Sequence, residues 1–260
     1  MNASGRLVCI GLGMTAGAHL TPNAESHIER SDTLFADVPN ALFEAWLKEM
    51  HDDVRSLESI RAQNRTPSDI DRAIADVLLA EVRKGANVCA AFYGHPGIFG
   101  GAARAALQIA RNEGYATHLE PGISAEDCLY ADLDIDPGKY GCQHFEASQL
   151  MRYRRSIDSS AYLVLWNIDS PTDALVAKSN TIAYRKVLLD VLADDYSPDH
   201  TIVVYRPASL MDRNPYVLKL PLALLPWAAI GPHACLVLPP AAELLPDPMR
   251  QARLATLTTR

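Results

Sequence analysis

One short segment constrains the fold more than any other part of the chain. The apolar run Val88–Phe92 ends abruptly at the sequence Tyr-Gly-His-Pro-Gly (93–97), and the helix-forming stretch Ala102–Arg111 follows. This order predicts a buried strand, a sharp turn and a helix. Glycine and proline let the backbone of such a turn pass close to a bound molecule. In α/β proteins, ligands bind at turns beyond the carboxyl ends of strands. An ordinary strand-to-helix connection is the alternative.

Two further segments have the same form. An apolar run that begins at Leu7 leads into Gly-Leu-Gly (11–13), and the short strand Tyr115–Leu119 leads into Glu-Pro-Gly-Ile-Ser-Ala (120–125). Between these turns, candidate strands alternate with candidate helices. Such alternation predicts an α/β fold whose N-terminal part is a mainly parallel sheet with flanking helices.

The pattern restarts after a polar, arginine-rich segment, Arg152–Ser160. Strand candidates at 161–168, 202–206, 217–220 and 234–238 and a helix at 182–194 follow, with shorter connections that favour a mixed sheet. We therefore predict two domains, an N-terminal α/β domain over 1–157 that carries the glycine-rich turns and a C-terminal mixed α/β domain over 158–260. A ligand cleft is expected where the two meet.

The composition of the chain argues against several classes of binding partner and site. The formal net charge is −7, and no basic stripe alternates with aromatic residues, so a nucleic-acid partner is not expected. No run reaches the ~18 uninterrupted apolar residues of a membrane span. The five cysteines include no C-x-x-C pair, which predicts a reducing, cytoplasmic location without structural disulfides. The eight histidines are scattered and form no H-x-x-x-H pair on a predicted helix, so no metal site is expected.

The three glycine-rich turns, in this order, resemble the tetrapyrrole methylase superfamily, whose members use S-adenosylmethionine (SAM). Two later segments, Phe-Glu-Ala-Ser-Gln (145–149) and Leu-Val-Leu-Trp (163–166), together with Tyr-Gly-His-Pro-Gly-Ile-Phe (93–99), are most similar to the borosin α-N-methyltransferases. Those enzymes methylate backbone amides of a peptide. The resemblance extends from residue 7 to about residue 240.

The resemblance implies a two-domain tetrapyrrole-methylase-like fold with SAM as the cofactor. For two of the implied residues an ordinary structural role is the alternative: His95 as a turn histidine bonded to its own backbone, and Trp166 as plain core packing. Asn167 stands where the peptide-methylating relatives tend to carry glutamine. The implied cofactor-binding residues are Tyr93, Gly94, His95, Ile98, Phe99, Ser124, Ala125, Trp166, Asn167, Tyr205, Pro207, His233 and Ala234.

Catalytic residues follow from the chemistry of the implied reaction. A backbone amide N–H is far less acidic than a tyrosine, whose pKa is about 10, so a group must share that proton and stabilise charge on the carbonyl oxygen. Tyr93 is the one residue of the relatives' catalytic pattern that clearly remains. In the segment 57–72, Arg61 stands where a tyrosine is expected, and Arg61, Arg65 and Arg72 are the candidate cations. An ordinary surface loop is the alternative for this segment.

These observations predict a SAM-dependent methyltransferase that N-methylates backbone amides. Because no long extension follows the last predicted strand, the precursor peptide is expected to be a separate chain. The resemblance also implies a homodimer. Two other functions stay open: methylation of a small molecule or tetrapyrrole by the same fold, and a non-catalytic SAM-binding partner protein.

Overall fold

Strands and helices alternate through the first half of the chain, as its sequence predicts. The computed structural model describes residues 5–63, 66–168, 181–209, 214–231 and 233–257. The first half contains the strands β1 (Arg6–Gly11), β2 (Thr33–Asp37), β3 (Val54–Ser56), β4 (Asn87–Phe92) and β5 (Ala116–Glu120), and the helices α1 (Pro22–Glu29), α2 (Ala41–Met50), α3 (Glu58–Gln63), α4 (Pro67–Val82), α5 (Gly101–Asn112) and α6 (Ala125–Leu133).

The first sheet has the strand order β3-β2-β4-β1-β5, and every neighbouring pair is parallel. Its central strands are buried almost throughout, as parallel strands covered on both faces require. Alternate β1 side chains enter two separate cores: Leu7 and Cys9 pack with residues of α4 and α5, and Val8 and Ile10 with residues of α1 and α2. The prediction of a parallel sheet with flanking helices is confirmed.

Local sequence explains where the helices begin. Thr66 precedes α4, and its hydroxyl accepts a hydrogen bond from the Asp69 N–H at 3.2 Å, while Pro67 occupies the first helical position. Proline is tolerated there because that N–H has no partner within the helix. Thr21 and Pro22 start α1 in the same way. The helical spacing of Ile74, Leu78 and Val82 then directs one face of α4 into the core.

The second half forms a second, mixed sheet with the order β6-β7-β10-β8-β9. Strand β6 is parallel to β7, whereas β10 is antiparallel to both β7 and β8. The elements are α7 (Pro137–Tyr140), β6 (Cys142–Glu146), α8 (Ala147–Arg152), β7 (Tyr162–Trp166), α9 (Thr181–Leu192), β8 (Thr201–Arg206), β9 (Tyr216–Pro221), a 3₁₀ helix (Leu222–Trp227), β10 (Cys235–Leu238) and α10 (Pro248–Ala255). The mixed sheet is the predicted one.

The chain divides into two compact units. The first comprises residues 1–134 and 206–216, and the second comprises 135–205 and 217–260. The boundary expected near residue 157 lies inside the second unit, because β6 precedes that point and pairs with β7. No helix in the described part of the chain is both long and apolar enough to cross a membrane.

Candidate functional site

Three glycines from three turns meet at the carboxyl ends of adjacent strands. Gly11 ends β1, Gly94 follows β4 and Gly122 follows β5. A Cβ on Gly11 would lie 2.6 Å from both the Gly122 Cα and the Gly94 carbonyl oxygen, and a Cβ on Gly122 would lie 2.5 Å from that oxygen. Only glycine fits at Gly11 and Gly122, because real Cβ atoms do not approach backbone so closely. The structure therefore brings together the three turns that the sequence predicts.

Gly94 differs from the other two glycines because it has space beside it. Its N–H and carbonyl bond to Gly13 at 3.0 and 3.1 Å, and its φ is +71°. A Cβ at this position would meet only the sulfur of Met14, at 3.4 Å. The backbone conformation, rather than crowding, is what requires glycine at position 94. Room therefore remains for other atoms to approach the backbone here.

The loop after Gly94 holds two of the predicted residues in an exposed position. Ile98 is 39% exposed and Phe99 is 60% exposed, and Phe99 has a φ of +51°. His95 lies in the turn itself, where its Nδ1 accepts a hydrogen bond from the Gly97 N–H at 2.9 Å. That bond is the alternative role considered for His95 from the sequence. It also leaves Nε2 as the protonated nitrogen of the neutral ring.

Tyr93 is half-buried at the end of β4. Its hydroxyl donates a hydrogen bond to the Met14 carbonyl oxygen at 3.2 Å, and its ring contacts Phe43 edge-on with centroids 5.3 Å apart. Burial raises the pKa of the Tyr93 hydroxyl to about 12. A tyrosine hydroxyl is ordinarily protonated at neutral pH, and burial makes its ionisation less favourable still. The group therefore offers a hydrogen-bond donor.

Arg61 lies on α3, and Asp37 is the last residue of β2. The guanidinium donates through Nε and Nη2 to both carboxylate oxygens of Asp37. The Asp37 carbonyl oxygen also accepts the Tyr93 N–H at 3.1 Å. Asp37 therefore links the candidate cation to the candidate proton donor. Sequence reasoning missed Asp37, although an acidic residue at the end of the apolar run of β2 is a usable signal.

The other candidate cations are placed differently. Arg72 is exposed on α4, and Arg65 lies outside the described residues. Asp71, next to Arg72, instead approaches the site: its carboxylate accepts a hydrogen bond from the Ala102 N–H at the start of α5 and interacts electrostatically with Arg61. Burial raises the pKa of the Asp71 carboxyl. The structure thus joins Arg61, and not Arg72, to the end of the sheet.

Ser124 and Ala125 begin α6. The Ser124 hydroxyl accepts the Asp127 N–H at 3.2 Å, and the Asp127 carboxylate accepts the Ser124 N–H at 2.7 Å. This reciprocal capping box fixes the start of the helix directly after Gly122. Ser124 is buried, with 4% of its surface exposed, so capping accounts for its side chain.

The predicted residues of the second unit lie at the same end of neighbouring strands of its sheet. Trp166 ends β7, and Tyr205 pairs with Cys235 across β8 and β10, directly beside Ala234. The Trp166 indole N–H donates to His144 Nδ1 at 3.1 Å, and the two rings stack 6.0 Å apart. Tyr205 is fully buried. Pro207, which follows β8, is also buried and belongs to the first unit.

Several of the predicted residues have a backbone conformation with positive φ, which is unusual for residues other than glycine. Among the described residues, the non-glycine positions with positive φ are Phe99, Asp134, Asn167 and His233, and three of these four belong to the predicted cofactor set. Such conformations cost of order 1 kcal/mol or more and concentrate at functional sites. Their position in this chain therefore agrees with a ligand-binding role.

A further cluster in the first unit was not predicted. His27, His118 and Glu120 place one potential ligand atom each within 4.8 Å of one another. His27 lies on α1, whereas His118 and Glu120 lie on β5. Sequence spacing gives no sign of this set, because packing brings His27 to a strand that begins almost ninety residues later.

Comparison with known proteins agrees with these features. The methyltransferase/ribosomally synthesized cyclic peptide gymnopeptides precursor of Gymnopus fusipes is 36% identical over 224 residues, covering 85% of this chain and 53% of that protein. The corresponding type I borosin precursor of Coprinopsis marcescibilis is 37% identical over 210 residues, covering 78% and 52%. The omphalotin A precursor of Omphalotus olearius is 32% identical over 248 residues, covering 92% and 59%. The chain thus spans about half the length of the curated relatives it matches.

Solved structures of low sequence identity share the fold. Uroporphyrin-III-C-methyltransferase from Thermus thermophilus matches with a TM-score of 0.63 and 18% identity over 91% of this chain and 93% of that one. A cobalt precorrin-4 methyltransferase matches with a TM-score of 0.64 and 15% identity over 92% and 96%. A family model described as tetrapyrrole (corrin/porphyrin) methylases matches residues 6–223. The resemblance carried by the three turns is therefore confirmed, and the chain belongs to the tetrapyrrole methylase family.

Proposed function

We propose that this chain is a SAM-dependent methyltransferase that methylates backbone amides of a precursor peptide. The observation that carries the proposal is the meeting of Gly11, Gly94 and Gly122 at the carboxyl ends of three adjacent parallel strands. Ligands of α/β proteins bind at this end of a sheet. The names of the relatives, which join a methyltransferase to a peptide precursor, favour the peptide as acceptor.

The residues of the first unit fit the cofactor. SAM carries an activated methyl group on a positively charged sulfur, beside an adenosine and a zwitterionic amino acid. Such a ligand needs backbone donors and acceptors and apolar walls. The open space beside Gly94 gives access to backbone groups, and Ile98 and Phe99 supply exposed apolar surface. The other residues that the family resemblance implies for the cofactor stay predictions; they are Ser124, Ala125, Trp166, Asn167, Tyr205, Pro207, His233 and Ala234.

Tyr93 and Arg61 supply the chemistry that an amide acceptor needs. The Tyr93 hydroxyl is protonated at neutral pH, as tyrosine ordinarily is, and burial raises its pKa further. It therefore donates a hydrogen bond to the acceptor as charge develops. Arg61 carries a fixed positive charge, oriented by both carboxylate oxygens of Asp37. A cation held in this way stabilises negative charge on the acceptor carbonyl oxygen without reorganising during the reaction.

Replacement of Tyr93 by phenylalanine tests the proposed function. Phenylalanine keeps the edge-on ring contact with Phe43 and removes only the hydroxyl. We expect Tyr93→Phe to lower the rate of peptide methylation about 100-fold while the affinity for SAM stays unchanged. Mass spectrometry of candidate precursor peptides incubated with protein and SAM measures the rate, and calorimetry measures the affinity.

Tyr115→Phe is the matched control, because Tyr115 is also half-buried but lies next to the amino end of β5, at the opposite end of the sheet. Full peptide methylation by Tyr93→Phe would contradict the role of Tyr93. SAM binding without transfer to any peptide would contradict the peptide acceptor and favour a small-molecule or tetrapyrrole acceptor, or a non-catalytic SAM-binding protein. The homodimer implied by the family stays a prediction.

A further inference from the structure

The cluster of His27, His118 and Glu120 lies on the edge strand of the first sheet and the helix beside it. The His118 Nε2 is 2.8 Å from Oε2 of Glu120, and the His27 Nε2 is 4.0 Å from the same oxygen. The two imidazole rings are 5.3 Å apart, centroid to centroid. Two imidazoles and a carboxylate thus converge on one point from α1 and β5.

We propose that His27, His118 and Glu120 bind Zn²⁺ or another late first-row divalent metal ion. Zinc bonds to nitrogen and oxygen are about 2.0–2.2 Å long, so two ligand atoms in a tetrahedral site are about 3.4 Å apart. The observed separations of 2.8 and 4.0 Å lie on either side of that value. Each differs from that value by about 0.6 Å, and all three ligand atoms lie within 4.8 Å of one another.

His27 is the residue that a simple hydrogen-bonded cluster leaves unexplained. Its Nε2 is too far from the Glu120 carboxylate, at 4.0 Å, for a hydrogen bond. The His118–Glu120 pair alone would account for only two members of the cluster. A metal ion gives the three side chains a common partner and explains why the His27 nitrogen faces the carboxylate at that distance.

Charges of both signs lie near the cluster. Glu120 is only 8% exposed and supplies the carboxylate of the site. The positive charges of Arg6 and Arg30 act on His27. These charges weaken the attraction for a cation, so we expect modest rather than tight affinity.

The place of the site in the fold indicates what the ion would do. One ligand belongs to α1 and two to β5, so the ion would fasten the helix to the edge strand. Glu120 directly precedes the turn that contains Gly122, whose backbone contacts Gly11. We therefore assign the ion a structural role beside the third turn, separate from any chemistry of methyl transfer.

Titration of the metal-free protein with Zn²⁺ tests the proposal. The full chain, without an affinity tag and after removal of metals with a chelator, is titrated with ZnCl₂ in a calorimeter and with CoCl₂ in a spectrophotometer. We expect one saturable site per chain, and visible d–d bands of low-coordinate cobalt. Absence of saturable binding or of the cobalt bands would overturn the proposal.

Variants then locate the binding. His27→Ala and Glu120→Gln are expected to weaken Zn²⁺ binding at least tenfold, and Glu120→Gln keeps the size of the side chain and one acceptor oxygen. His51→Gln is the control, because His51 is another partly buried histidine of the first unit and is bonded to Ser31 instead. Circular dichroism checks that each variant is folded. Unchanged affinity and cobalt spectrum in a folded Glu120→Gln variant would show that the ion binds elsewhere.

Discussion

At the scale of single residues, Tyr93 and His95 lie close together in the sequence, but their surroundings give their side chains different roles. The Tyr93 hydroxyl is protonated at neutral pH, and burial raises its pKa. Its hydrogen-bond acceptor is the Met14 carbonyl oxygen. The His95 Nδ1 already accepts the Gly97 N–H, so only Nε2 of the ring is left to donate a hydrogen bond. Tyr93 is therefore the better candidate for handling the acceptor, and His95 the better candidate for shaping the turn.

Gly94 provides a test that separates cofactor binding from backbone strain. Valine at this position would have to adopt a φ of +71°, which costs a β-branched residue about 1–2 kcal/mol or more. Its side chain would also fill the space beside the turn. We expect Gly94→Val to lose SAM binding in calorimetry.

Gly114 offers a matched control, since its φ is +85° and a Cβ there would meet nothing within 4 Å. It lies between α5 and β5, away from the carboxyl ends of the strands. Gly114→Val should therefore show a similar loss of stability and keep its affinity for SAM. Equal SAM affinity in folded Gly94→Val and Gly114→Val proteins would show that the turn at Gly94 is not part of the SAM site.

Arg61 can be tested against a second arginine with the same bonding. Arg61 donates through Nε and Nη2 to Asp37, and Arg55 donates through Nε and Nη2 to Asp53. Lysine keeps the charge but cannot form the two-pronged bond. We expect Arg61→Lys to lower peptide methylation about 100-fold and Arg55→Lys to change it by less than about threefold, with SAM affinity unchanged in both. Equal rates in the two variants would show that Arg61 only stabilises the fold.

At the scale of secondary-structure elements, local patterns predicted most of the first sheet. Apolar runs such as Val88–Phe92 gave the buried strands, and glycine after each run gave the turns. Polar side chains that depend on distant partners could not be predicted in this way. Asp37 and Arg61 are 24 residues apart. They meet because β2 is parallel to β3, and α3 follows β3 at the end of the sheet where β2 also ends. The division of the chain likewise depends on the pairing of β6 with β7.

At the scale of the whole molecule, each unit has cores of its own. Two clusters of buried residues lie on the two faces of the first sheet, and a third is formed by β7, β8, β10 and the helices of the second unit. Domains with separate cores can unfold in separate steps. The turns at Gly11, Gly94 and Gly122 all belong to the first unit. A cofactor that binds at these turns must therefore change the stability of the first unit.

Saturating SAM should therefore stabilise the first unit. A ligand at 100 times its dissociation constant adds about 2.7 kcal/mol to the free energy of unfolding, which raises the melting temperature of a domain of this size by about 5–10 °C. Differential scanning calorimetry measures the shift, and the Gly94→Val variant supplies the control, since its transition should not move with SAM. SAM that binds at these turns must raise the melting temperature, because a ligand that binds only the folded state stabilises it. Transitions of the wild-type protein that stay fixed at saturating SAM, with no heat of binding, would reject SAM as the cofactor.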